Sequence, residues 1–237
     1  MSAPATLSRP RALLAAALAG AERMVDPFER AGVPVATRAR PVVAVVALRP
    51  RCGTTTVARA LAVELARRDP GGAATVCGRV GRGTAPGSRA GARLARSLAA
   101  FSPGRATAAG RLCLLAAEDQ LLSVTAAAMD VAPLVLDVPS QAAACAAASL
   151  ADHVVLVAPP YAEPALAAVV GASLARFGTE PIRVVNRVRD PSPWAGRDAI
   201  MLADSRVGAR LAGAGTRTRG ALGTGLEELT DRCGVSP

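Results

Sequence analysis

Apolar positions along this chain follow two patterns that alternate. The first is a short, nearly unbroken apolar run rich in β-branched residues, found at 42–48, 73–80, 111–117, 131–140, 152–160, 181–188 and 199–203. Runs this short, without polar alternation, predict strands buried on both faces. The second is a helical spacing. Val57, Leu61 and Leu65 recur every four residues, on one face of a helix that opens in Thr54 and Thr55. Helices are predicted likewise over 89–100, 118–130 and 142–150, and from Pro164, a residue that suits a first helical turn. A last helix spans 222–232, with Leu222, Leu226 and Leu229 on one face, whereas the Gly/Arg/Thr-rich segment 208–220 predicts irregular chain. Strands alternating with helices imply an α/β domain, with a mostly parallel sheet and helices on both of its faces.

The first 40 residues stand apart from this alternation. Residues 9–23 predict an alanine-rich helix, and 32–41 a proline-containing linker. Its apolar stretch, 12–21, is too short to span a bilayer, and no other segment reaches the ~18 uninterrupted apolar residues a spanning helix needs. The expected organisation is therefore an N-terminal arm and linker over 1–40 and one α/β domain over 41–237.

The most informative stretch joins the first strand to the first helix: Arg49-Pro50-Arg51-Cys52-Gly53-Thr54-Thr55-Thr56. A strand, a glycine-containing loop and a helix opening in threonines is the layout of a phosphate-binding loop, where backbone N–H groups and the helix N-terminus face an anion. Three further motifs follow in order: LVLDVPS with Asp137, ADHVVLVAPP, and VVNRV with Asn186 and Arg187. Together they resemble the MinD/ParA family of P-loop ATPases, whose loop reads K-G-G-x-G-K-T-T. The resemblance covers about residues 41–232 and implies a single P-loop NTPase-like domain binding ATP and Mg2+. It places Arg49, Arg51, Gly53, Thr54, Thr55 and Thr56 at the phosphates, Thr55 and Asp137 at the metal, and Asn186 and Arg187 beside the adenine. Read without the resemblance, Asp137 is equally a cap or turn residue, and Asn186 a turn-forming residue at a strand end.

Against that pattern the loop departs at charged and backbone positions. Thr54 stands where the family has its phosphate-gripping lysine, and Arg49 where it has a second, signature lysine. Pro50 offers no N–H. Arg51 replaces a glycine, so a phosphate cannot approach as closely. No lysine elsewhere can substitute, because all 28 basic residues are arginine. The family's switch I carries aspartates, yet no acid lies between Gly78 and Ala100 here. Guanidinium binds phosphate well. The expected protein thus has a degenerate nucleotide site: a non-catalytic or very weak ATPase acting through protein interactions in partitioning, polar positioning or pilus/secretion assembly. The alternative is an active nucleotide-switched ATPase that uses arginine in place of the lysine. The resemblance further implies a protein partner, a homodimer, and a cytoplasmic site of action with peripheral membrane contact as a variation.

Composition adds less. A net charge of +10 suits an anionic partner such as nucleic acid or a membrane surface, but uniform arginine use with abundant Ala, Gly and Pro equally fits a GC-rich coding bias. No aromatic residues interleave with the arginines, which argues against a single-strand stacking surface. The five cysteines are unevenly spread and form no metal knuckle or disulfide framework. Cys77 and Cys113 read as buried fillers, Cys52 as a small loop residue, and His153 as structural.

Overall fold

All six residues of β1 (Val42–Ala47) are buried, as an apolar strand at the centre of a sheet must be. The protein is described here by a computed structural model that covers residues 40–78, 85–100, 105–117, 124–125, 128–138, 143–177, 179–189 and 193–234. After β1 come α1 (Thr54–Arg68), β2 (Ala74–Gly78), α2 (Arg89–Ala99), β3 (Ala106–Ala109) and β4 (Leu112–Ala116). They are followed by β5 (Leu134–Val138), α3 (Ala144–Leu150), β6 (His153–Ala158), α4 (Pro164–Ala175) and β7 (Ile182–Val188). The chain closes with β8 (Ile200–Ala203), α5 (Arg206–Gly213) and α6 (Gly220–Arg232). The expected helix over 9–23, the linker up to residue 39, the segment 79–84 and most of the helix over 118–130 lie outside the described residues.

Eight strands form one sheet in the order β3-β4-β2-β5-β1-β6-β7-β8. Every pairing is parallel except β3 with β4. Side chains alternate across each strand and build two cores. Val43, Val45, Val135, Val155 and Val157 pack under α1, α5 and α6, while Val42, Ala44, Leu134, Leu136 and Leu156 pack under α2, α3 and α4. Helices therefore cover both faces, as the strand–helix alternation predicts. Small residues let them approach closely. Burial of Leu61 and Leu65 from α1 contributes roughly 1.5–3 kcal/mol each by area alone.

One local expectation is corrected, and two further features were not marked by the sequence pattern. Residues 208–220 are not irregular throughout, because α5 occupies 206–213, with Ser205 as its N-cap accepting from the Gly208 amide at 2.9 Å. The glycine that reads as a breaker is a packing residue, since a Cβ there would collide with the Leu222 side chain. Strand β3 has no apolar run to announce it. It is a four-residue antiparallel edge that turns through Gly110 (φ +53) into β4 and draws its order from that pairing. Helix α1 buries far more than one stripe, since α5 and α6 cover the side that the sheet does not. The apolar face of α6 packs on the core, as expected. No helix among the described residues is long and apolar enough to cross a membrane.

Candidate functional site

The loop from β1 to α1 leaves the carboxyl edge of the sheet at its centre. Its backbone is unusual. Gly53 sits at φ +88, a left-handed conformation natural to glycine. Arg51 sits at φ +63, and Arg187 at the end of β7 at φ +66. Among the described residues these are the two non-glycine positions with left-handed backbone, and the Arg187 Nη1 donates to the Arg51 carbonyl at 3.4 Å. Arg51 thus keeps the backbone shape a glycine would take, at a cost of roughly 1–2 kcal/mol. Arg49 and Arg51 are both exposed. Cys52 is buried, and its Sγ shares a hydrogen bond of 3.2 Å with the Thr54 hydroxyl, which is itself 6% exposed. The side chain of Thr54 is therefore turned into the protein.

Helix α1 begins at Gly53 with no side-chain cap and no acid in its first turn. Its first amides keep the partial positive charge of a helix N-terminus. By contrast, α2 and α5 are each capped by a serine hydroxyl, Ser88 and Ser205.

Strand β5 lies beside β1 and carries Asp137 to the start of α1. The Thr55 hydroxyl donates to Asp137 Oδ2 at 2.7 Å. Asp137 is 2% exposed, and its other oxygen, Oδ1, is buried without a hydrogen-bond partner among the described residues. Burial pushes the carboxyl above its ordinary value, opposed by the Thr55 hydroxyl and the Arg59 guanidinium. Arg59, one turn along α1 from Thr55, is buried too; burial lowers its pKa and Asp137 opposes that. Neighbouring β2 must end in glycine here, because a Cβ on Gly78 would run into the Asp137 carbonyl.

Asn186, near the end of β7, is 5% exposed, and its Nδ2 donates to the Cys52 carbonyl at 2.9 Å. The contact is tight enough that a Cβ on Gly53 would collide with that amide nitrogen. Asn186 and Arg187 thus fasten two successive loop carbonyls. Beyond them lies a cavity of about 300 Å³, between the ends of β7 and β8 and helices α1, α5 and α6. Its polar lining includes Thr56, Asn186, Arg187, Arg189, Asp204 and Arg206. Arg189 pairs with Asp204, and both of its bonded nitrogens meet the same oxygen, Oδ2. Sequence reasoning missed Arg189, Asp204 and Arg206. The signal available was the polar cluster Asp204-Ser205-Arg206 straight after a short apolar strand.

Burial raises the thiol pKa of Cys77 and of Cys113 to about 12, so neither is a nucleophile at neutral pH.

No protein-family profile and no curated protein sequence matches the chain. Solved structures do resemble it. The ATP complex of a Cyanothece McdA variant superposes with a TM-score of 0.57 at 12% identity, covering 84% of this chain and 98% of that one. A ParA family ATPase from Chlorobium tepidum gives 0.55 at 11% identity, over 81% of this chain and 99% of that one. A plasmid partition protein from Borrelia burgdorferi gives 0.51 at 8% identity, over 81% and 97%. Likeness at these identities establishes the fold, a ParA-type P-loop α/β fold.

Proposed function

We propose that this chain is a ParA-fold nucleotide-binding protein that hydrolyses its nucleotide very weakly or not at all, and that it acts through protein partners in partitioning, polar positioning or pilus/secretion assembly. One observation carries the reading. The position of the phosphate-gripping lysine holds Thr54, uncharged, buried and bonded to Cys52 inside the protein. Phosphoryl transfer is catalysed by positioning and charge stabilisation, so losing that charge removes rate more than it removes binding.

Features that hold an anion remain. They are the uncapped N-terminus of α1, the left-handed Gly53, and the exposed Arg49 and Arg51 at the loop. ATP is the nucleotide in the McdA complex. The residues also fit Mg2+, which binds through one or two carboxylates together with substrate phosphates. Thr55 and Asp137 would hold it, and the buried Oδ1 of Asp137, without a hydrogen-bond partner among the described residues, is the acceptor such an ion would satisfy. Bound there, the ion would neutralise phosphate charge. Asn186, tied to the Cys52 carbonyl, positions the loop from below.

A second reading, an active switch ATPase with arginine in place of lysine, draws on the strained Arg51–Arg187 contact, since left-handed non-glycine residues cluster at functional sites. Calorimetric titration of the purified chain with ATP and ADP, with and without Mg2+, tests the shared premise. Binding strengthened by Mg2+ and weakened in Asp137→Ala is expected; no binding in either condition would refute it.

A further inference from the structure

We propose that helices α3 and α4 form a face through which two copies of this chain pair, independently of nucleotide. The chain has 28 basic residues, yet from Leu112 to Ala175 there is none. Neither α3 (ACAAASL) nor α4 (PALAAVVGASLA) contains a charged residue of either sign. The two helices lie against each other on the side of the sheet that α2 also covers. Their outer surface is apolar. Val169 is 60% exposed and Tyr161, in the turn before α4, is 74% exposed, and Ala146, Ala165, Ala168 and Ala172 are exposed as well. The serines there add little polarity. Ser149 donates its hydroxyl to the Ala146 carbonyl at 2.8 Å, and Ser173 donates to the Val169 carbonyl at 3.2 Å. A helix that is apolar all round belongs in an interior, covered on every side. Within this chain, α4 buries only one stripe, Ala167, Val170, Gly171 and Leu174.

A second copy is the occupant that the charges favour. Two molecules of net charge +10 repel, and the repulsion is weakest where they meet through a face without arginine. The face is also complementary to itself. Glu163, exposed, stands at the N-terminal end of α4, and Arg176, exposed, at its C-terminal end. Val169 lies midway between them in the sequence. In a two-fold pair every contact is made twice. Antiparallel α4 helices crossing at Val169 therefore bring Glu163 of each copy toward Arg176 of the other, at both ends of the contact. Ala165, Ala168 and Ala172 let the two backbones approach closely, and burial of Val169 and Tyr161 drives the association. An anionic lipid surface would instead call for basic residues on these helices, which have none. The face lies over the helices and not at the carboxyl edge of the sheet, where the loop 49–56 sits, so pairing through it needs no nucleotide.

The test is sedimentation equilibrium of the full chain, with and without ATP and Mg2+. A reversible, concentration-dependent dimer is expected in both conditions. Val169→Glu sets two like charges at the axis and should weaken the dimer on the order of tenfold or more. Glu163→Arg and Arg176→Glu should each weaken it, and the two together should restore it, a recovery that a merely structural role for either residue would not give. Circular dichroism confirms that each variant folds, and the wild-type chain decides the first point without them. A chain that stays monomeric at every concentration would overturn the proposal and leave the face to a different protein or a lipid surface. A dimer unmoved by Val169→Glu, or one formed only with ATP, would overturn it by placing the contact elsewhere, as would single reversals that the double reversal does not rescue.

Discussion

The two ends of the candidate site are made of opposite materials. At the loop end, the charge expected inside the loop is gone: Thr54 is turned inward, Pro50 has no N–H, and the only cations, Arg49 and Arg51, stand exposed on its outside. At the other end, beyond β7 and β8, three arginines and an aspartate line one cavity, and Asn186 reaches from there to brace the loop. The contrast teaches that holding a ligand and transforming it are separable demands. Ground-state binding tolerates a charge placed anywhere near the ligand, whereas rate depends on donors aimed at the transition state. A protein under pressure only to bind would keep the second end and let the first decay.

The largest test of that contrast is Arg49→Ala with Arg51→Ala. If the outer arginines carry the phosphate charge, the double variant loses nucleotide affinity on the order of a hundredfold or more, read by calorimetry. Unchanged affinity would show that the loop arginines do none of the holding. Next is Asn186→Ala, which leaves the Cys52 carbonyl unpaired and the loop unbraced. It should cost about 1–3 kcal/mol in a denaturant melt. Smaller again is Arg51→Gly. The backbone already sits at φ +63, so glycine relieves strain and should add about 1 kcal/mol of stability while weakening phosphate binding.

The smallest effect lies outside both ends. His153, the only histidine, opens β6 at the edge away from the site. Burial lowers its pKa, partly offset by Asp152. The folded imidazole resists protonation, so its contribution is full above the ordinary imidazole value and is lost as pH falls from there through the lower folded value. Melting temperature should slip as pH falls below the ordinary imidazole value in the wild type and less in His153→Gln, with nucleotide affinity unmoved.

Much of this fold is legible in the sequence because central parallel strands announce themselves. Val42 to Ala47 has no polar partner to alternate with, so a strand buried on both faces is the reading its pattern favours. Edge and cover elements hide. Ala106 to Ala109 has neither an apolar run nor alternation, and α5 contains two glycines that mimic loop chain until Leu222 is seen filling the space at Gly208. The candidate site divides the same way. Thr55 and Asp137 are adjacent because each ends a central strand or follows it. Asp204 and Arg189 come from different strand ends, and nothing local marks them as neighbours. The direction of the Asn186 side chain, toward the loop, depends on a left-handed Gly53 that composition does not reveal.

The central claim is that the site binds without turning over. Phosphate release from the isolated protein, supplied in turn with ATP and GTP in the presence of Mg2+, measures it directly, with Asp137→Ala as the control for contaminating activity. Removing a single preorganised donor already costs about 2.7–4 kcal/mol of barrier. The account predicts release indistinguishable from the Asp137→Ala control with both nucleotides, although at least one of them binds. Steady turnover that disappears in Asp137→Ala would contradict it and make this protein an active hydrolase.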